Sequence, residues 1–411
     1  MKLRRLTTSR TRSRLRRRLL PLLASNVDGL LLPVLNIAVS LLVVRITSPA
    51  LWGEFVQVMI VVQLGVHILA WGNKEYLLRA FSLRPDQVAQ QWQASLATRA
   101  VLLGAFVLVV IALGWPVHRS LLVIVWAVAS LAHQAYDALI AYRRDFVYAS
   151  LVESGGLIAT VAAIITIGSG LSLDLLIAIF AAATLCKAVA LWPRYERHAF
   201  GDRAKGWSGR FDRGYFRAAF PFFLLGFSGM LQSRVDLYCV SLFLPRSEVG
   251  QYQVFINLLI YIQSVANFVL APFIRTLYRL QRDAIPTIAI RLFAFGLLLL
   301  PVALAAAYFV LTRLYHFEVP PFYMAAGAFF VAPIYLYLPI IYGLYRGGEQ
   351  TNVLRVNLLG IVANLLLNLT LLPQLAMLGA LIAAAAAQWL MLLSYLWLWR
   401  RLKGNPARAL P

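Results

Sequence analysis

The sequence predicts an all-α polytopic membrane protein of about twelve transmembrane helices, arranged as two six-helix bundles related by an internal repeat. Composition is the first observation behind this. The 411 residues are 61% hydrophobic and 13% charged, with a mean hydropathy of +0.76, where a soluble domain has about 45–50% apolar and about 25% charged residues. The second is spacing, since apolar runs of about 20 residues recur along the whole chain. The third is a pair of segments in the first half that return in the second.

Taken in order, the first six spans are Leu19–Val44, Leu51–Trp71, Leu96–Trp115, Leu121–Ala141, Ala149–Ile167 and Leu173–Trp192. The second six are Ala218–Leu244, Val249–Ile274, Pro286–Leu311, Phe322–Tyr345, Val353–Leu372 and Leu375–Trp399. The expected organisation is a basic tail over 1–18, a first bundle over 19–193 and a linker over 194–217. A second bundle over 218–399 and a tail over 400–411 complete it. The gap Pro193–Arg217 is the longest and holds seven basic residues. The Arg- and Ser-rich N-terminus also fits a mitochondrial transit peptide, but the apolar stretch after it is long enough to span, so a retained anchor is expected.

Orientation follows from the basic residues. With the N-terminus inside, roughly 32 of the 38 Lys and Arg fall on the cytoplasmic side. Arg45, Arg119, Arg246 and Arg313 fall outside, and Lys187 and Arg234 lie within spans. Both termini are therefore expected in the cytoplasm. Topology accounts for the net charge of +22, so nucleic acid is not an expected partner. Cys186 and Cys239 both sit in spans and the five histidines are scattered. No metal site, disulfide framework or cofactor is expected.

The repeat is read from two matches. SPALWGEFVQVMIVV from Ser48 parallels PRSEVGQYQVFINLL from Pro245, with Gly53 under Gly250. AYRRDFVYASLVESGG from Ala141 parallels LYRGGEQTNVLRVNLL from Leu344. Both offsets are about 200 residues, and repeats of equal topology enclose a site near the midplane.

Polar stripes mark the first two helices of each half. Asn26, Gly29, Pro33, Asn36 and Ser40 share one face of helix one, and Gln253, Asn257, Tyr261, Ser264 and Asn267 share one face of helix eight. His67, between Gln63 and Trp71 on helix two, aligns with Ser264. Such faces serve as interhelical contacts or line a water-filled cavity, and their length favours the cavity. Helix eleven carries Asn357, Gly360, Asn364 and Asn368, read first as tight small-residue packing. Asp137, Glu153 and Lys187 lie near the cytoplasmic boundary, where long side chains snorkel. Asp28, Arg234 and Asp236 lie deeper, and a charge there costs about 2.5–3.5 kcal/mol or more. Arg234 and Asp236 are about 200° apart around the helix and need separate partners. Arg234 is expected to face the cavity and Asp236 a neighbouring helix, with the reverse assignment standing beside it.

Two stretches, Asp236–Tyr252 (DLYCVSLFLPRSEVGQY) and Asn357–Gln388 (NLLGIVANLLLNLTLLPQLAMLGALIAAAAAQ), resemble the Wzx-type polysaccharide (O-antigen) flippases of the multidrug/oligosaccharidyl-lipid/polysaccharide (MOP) exporter superfamily. Gln374-Leu375-Ala376-Met377 departs from the usual turn before Gly379 and leaves the branch open. The resemblance implies a MATE/MOP-like fold in a bacterial inner membrane. It implies an alternating-access flippase, not an enzyme, moving undecaprenyl-pyrophosphate-linked oligosaccharide outward for surface polysaccharide. Membrane lipids, a polysaccharide polymerase and a chain-length regulator are the implied partners. Under that reading Arg234 meets the pyrophosphate, Lys187 and Arg275 capture it, and Asn36, His67, Asn257 and Ser264 line the cavity. Asp28, Asp137 and Asp236 are the candidates for ion coupling. A cation-coupled drug or metabolite antiporter of the same superfamily is the alternative, kept open by those carboxylates. A polytopic glycosyltransferase or polymerase needs larger external loops than this chain has.

Overall fold

A chain that must satisfy every backbone N–H and C=O without water folds as packed helices or as a closed barrel, and this one packs helix upon helix. The computed structural model describes residues 33–200, 209–278 and 282–403, without the side chains of Pro272, Arg275, Thr276 and Lys403. Among the described residues there is helix and no strand. By internal contacts the chain divides into two compact units, Met1–Leu42 with Val61–Leu224, and Val43–Ile60 with Leu225–Pro411.

The helices are α1 (Pro33–Ile46), α2 (Pro49–Ala70), α3 (Asn73–Leu83), α4 (Val88–Ala112), α5 (Val117–Gln134), α6 (Asp137–Arg143), α7 (Phe146–Ile167) and α8 (Leu173–Phe200). They continue with α9 (Arg213–Phe243), α10 (Arg246–Leu270), α11 (Ile274–Leu277), α12 (Ala284–Phe309), α13 (Pro321–Arg346) and α14 (Gln350–Lys403). Nine helical stretches are long and apolar enough to cross a membrane among the described residues. Their outward faces are apolar: Leu108, Leu298 and Val302 are all strongly exposed. The chain is a multi-pass membrane protein.

With α14 counted as two rods, and α9 added, each predicted span from the second to the twelfth has its helix, and α1 covers the described part of the first. Three boundaries differ from expectation for physical reasons. Residues after Trp71, expected as a basic loop, turn at Trp71 and Gly72, both at positive φ, and continue as α3. Helix four breaks at Ala135–Tyr136, where the Trp92 indole N–H donates to the Ala135 carbonyl at 2.6 Å. α14 reverses not at Pro373, in the gap between the expected spans Val353–Leu372 and Leu375–Trp399, but at Ala376 (φ 48°, ψ −134°). There Gly379 packs on the Leu371 carbonyl, Gly360 on Met391, and the Tyr395 hydroxyl donates to Asn357. These pairs are each centred on the Leu375–Ala376 link, so α14 is an antiparallel hairpin.

In the first unit α5 and α7 pack along α8, and a small core of Leu77, Phe81, Trp92, Leu139, Leu191 and Tyr195 ties α3, α4, α6 and α8 together. Trp71 stacks on Phe223 (centroids 4.2 Å apart) and donates to the Phe216 carbonyl, in the turn before Pro221.

In the second unit α13 packs against α10, α12 and α14. Pro333 has no N–H for the Phe329 carbonyl one turn earlier. The Trp389 indole supplies that bond at 3.0 Å, and Gln263 donates to the neighbouring Phe330 carbonyl at 3.0 Å. Gly296 admits the Tyr335 ring, whose hydroxyl donates to the Ile262 carbonyl at 2.6 Å.

The start of α2 belongs to this unit and crosses α10. A Cβ on Gly53 would stand 1.6 Å from the Arg246 carbonyl oxygen, and one on Gly250 2.5 Å from that of Pro49. Nothing larger than hydrogen fits, and small residues permit such backbone approach. Trp52 donates to Gln253 at 3.0 Å, Gln57 to the Ser241 carbonyl at 3.0 Å, and Arg246 pairs with Glu54.

Candidate functional site

The site is built on α9 and α10, which run side by side in the second unit. Arg234 and Asp236 project to different sides of α9, as a two-residue separation requires. Arg234 is half-buried, and its Nη1 donates to the Asn257 Oδ1 at 2.7 Å. Asp236 is buried and accepts from the Tyr252 hydroxyl. Each charge thus has its own partner on α10, five residues apart along that helix.

The polar stripe of α10 opens gradually. Gln253 is buried, Asn257, Tyr261 and Ser264 are half-buried, and Asn267 is exposed. Ser264 donates to the Tyr261 carbonyl at 2.7 Å. The stripe therefore changes along one helix from a packing face to an accessible one, with Arg234 and Asn257 at the change. Arg234 can offer its remaining N–H groups to an anion while keeping the Asn257 bond, because a guanidinium carries five donors.

Asp236 lines a separate chamber of about 200 Å³ within the second unit, with Gln232, Gln263, Asn364 and Gln388. Tyr337 donates to Gln388 Oε1 at 2.8 Å, and Asn368 donates to Asn364 Oδ1 at 2.7 Å. The Asn357–Gly360–Asn364–Asn368 face of α14 is thus partly close packing, through Gly360 and Met391, and partly chamber wall. No group of three or more His, Cys, Asp or Glu is placed to hold a metal ion among the described residues.

The remaining sequence candidates, Arg275 apart, lie in the first unit. Asn36 is exposed on α1 and His67 is half-buried on α2. The Lys187 ammonium pairs with Glu153 at 2.9 Å, and Glu153 also meets the His133 Nε2 at 2.9 Å. The Lys187 stem lies over Gly156, where a Cβ would be 2.6 Å from it. Asp137 is half-buried at the start of α6. Asp28 and the Arg275 side chain lie outside the described residues.

Residue type alone does not single out Arg99. It falls near the start of the expected span Leu96–Trp115 and is 1% exposed on α4. Its Nε and Nη1 have no hydrogen-bond partner among the described residues. The signal that could have found it was helical periodicity: Trp92, Ser95 and Arg99 recur at helical spacing and are all buried.

No protein-family model and no curated protein matches the chain. Solved structures do. The lipid II flippase MurJ in an inward closed conformation superimposes with a TM-score of 0.61 at 12% identity, over 92% of this chain and 87% of that one. An inward-facing multidrug resistance MATE family transporter of the MOP superfamily gives 0.59 at 12% identity, over 90% and 95%. The chain has the fold of the MOP-superfamily transporters. At this identity the likeness carries the MOP fold and nothing of substrate.

Proposed function

We propose that the chain is an alternating-access flippase that moves an undecaprenyl-pyrophosphate-linked oligosaccharide from the cytoplasmic to the external leaflet. The observation that carries the reading is Arg234, a cation in the interior of the long helix α9, half-accessible and tied to Asn257 at 2.7 Å. A pyrophosphate entering a low-dielectric site needs a cation there, since an unpaired charge is prohibitively costly. Asn257, Tyr261 and Ser264 continue the polar face on which sugar hydroxyls can exchange hydrogen bonds. A lipid II flippase shares the fold, and a lipid-linked cargo is consistent with that likeness without resting on it.

The proposed orientation has both termini in the cytoplasm, with the basic tails and the 194–217 linker facing anionic lipid there. Lys187 reaches a phosphate in this scheme by exchanging Glu153 for it. Asn36, His67 and Arg275 complete the proposed substrate path. Asp236 in its polar chamber is the favoured ion-coupling group, ahead of Asp28 and Asp137. A polymerase and a chain-length regulator are the proposed partners in an inner membrane.

In cells that depend on this chain for surface polysaccharide, Arg234→Ala abolishes polymer while the protein remains in the membrane. Normal polymer in that strain removes Arg234 from the site. The competing reading is a cation-coupled multidrug antiporter, favoured by the likeness to a MATE transporter. It needs carboxylates facing its cargo, and Asp236 is taken up by Tyr252. Cation-dependent dye efflux from vesicles would establish it.

A further inference from the structure

A second cavity of the second unit lies away from Arg234, at the opposite end from the α14 C-terminus. It encloses about 780 Å³, within the roughly 300–1,000 Å³ usual for small-molecule sites. Its walls come from the end of α1, the starts of α2, α10 and α13, the α12–α13 connection and the α14 reversal. Every one of these is a helix end on one side of the unit.

The lining is chemically mixed. Glu248, Glu318 and Gln251 present oxygen acceptors, and Arg45 is the cation. Arg45 is held in place, donating to the His316 Nε2 at 2.7 Å and the Arg313 carbonyl at 3.4 Å. Tyr323 is half-buried in the same lining, which also holds Tyr315 and Phe317, whose ring centroids are 5.2 Å apart.

The backbone around the cavity is strained. Four non-glycine residues have positive φ among the described residues, and two of them border it. His316 (φ 58°) is in the wall, and Ala376 (φ 48°) precedes the wall residue Met377. A π-helical turn, Val310–Leu314, leads into the same wall. Such conformations cost on the order of 1–3 kcal/mol each and gather at functional sites, as do π-turns.

We propose that this cavity is a carbohydrate subsite. Two carboxylates against one held arginine repel a phosphate, but they accept bonds from hydroxyl groups, and such charge-assisted bonds are strong. The Tyr323 ring offers the apolar surface that the C–H face of a sugar needs, and it keeps a polar tip. Neutral and amino sugars fit this lining, whereas pyrophosphate does not. That the sugars belong to the lipid-linked oligosaccharide, received here as it reaches the external leaflet, rests on the flippase reading.

Saturation-transfer NMR on the purified full chain tests the subsite with chitobiose and maltose as probes, and 31P line broadening follows inorganic pyrophosphate as the third. The disaccharides receive saturation from the wild type. Glu248→Gln and Tyr323→Ala weaken their binding by about tenfold, a change of about 1.4 kcal/mol. Tyr323→Phe keeps the ring and retains binding, which separates loss of the site from loss of the fold. Absence of disaccharide binding to the wild type, equal binding by the variants, or a pyrophosphate signal that the same variants remove overturns the proposal. Disaccharide binding in a protein that flips no lipid-linked sugar keeps the subsite and removes the flippase reading. Flipping with no disaccharide binding removes the subsite alone.

Discussion

Gly53 and Gly250 occupy equal places in the two repeats, and in the folded chain they lie against each other. Each meets the carbonyl four residues before its partner: Gly53 that of Arg246, Gly250 that of Pro49. This reciprocal contact is a local two-fold axis between the first turns of α2 and α10. Gly53→Ala and Gly250→Ala force backbone apart, at a cost of about 1–3 kcal/mol or more. Gly104, with nothing within 4 Å of a Cβ, is the control. Gly104→Ala should be neutral or gain up to about 1 kcal/mol from helix propensity. Thermal midpoints in detergent read all three, and equal midpoints would remove the contact from the account.

The Lys187–Glu153–His133 cluster is mostly shielded, with the Lys187 side chain 18% exposed. Glu153→Gln strands Lys187, and a loss of about 1–3 kcal/mol is expected. Adding Lys187→Met recovers much of it. A double variant as unstable as the sum of the single changes contradicts the pairing.

Trp389 completes a hydrogen bond that Pro333 cannot make. Trp389→Phe should cost about 1 kcal/mol. In a Pro333→Ala background, where the backbone again supplies a donor to Phe329, the same change should cost close to nothing. Equal costs in both backgrounds would exclude this role for the indole.

Arg99 is a buried cation with two nitrogens unpartnered among the described residues. Replacing a buried charge by an apolar residue of similar length is often neutral or stabilising by about 1–4 kcal/mol. Arg99→Met is therefore expected to keep or raise the thermal midpoint. A marked fall would mean that the guanidinium is held by bonds this conformation does not make.

Much of the fold was legible in the sequence because a bilayer forces length and hydropathy on every spanning helix. The positions of Arg234 on α9 and Asn257 on α10 could be read the same way. Their contact could not, since it depends on how two helices rotate against each other. The Ala376 reversal was misplaced because Pro373 is a visible helix breaker, whereas an alanine at positive φ leaves no trace in residue type. Arg99 was hidden for a related reason: charge suggests surface, and only packing shows otherwise. Lys187 was read as a free snorkelling cation, and its pairing with Glu153 needed the approach of α7 to α8.

The measurement that bears most directly on the central claim is flipping in proteoliposomes. Purified chain is reconstituted with labelled undecaprenyl-pyrophosphate-linked oligosaccharide, and access of the label to an external quencher is followed. The wild type should move label between leaflets at least about tenfold faster than Arg234→Ala, a difference of about 1.4 kcal/mol in barrier. Arg234→Lys, which keeps the charge but not the planar fork, should lie between them. Equal rates for wild type and Arg234→Ala, or cation-driven dye efflux with no movement of the lipid-linked sugar, would contradict the account.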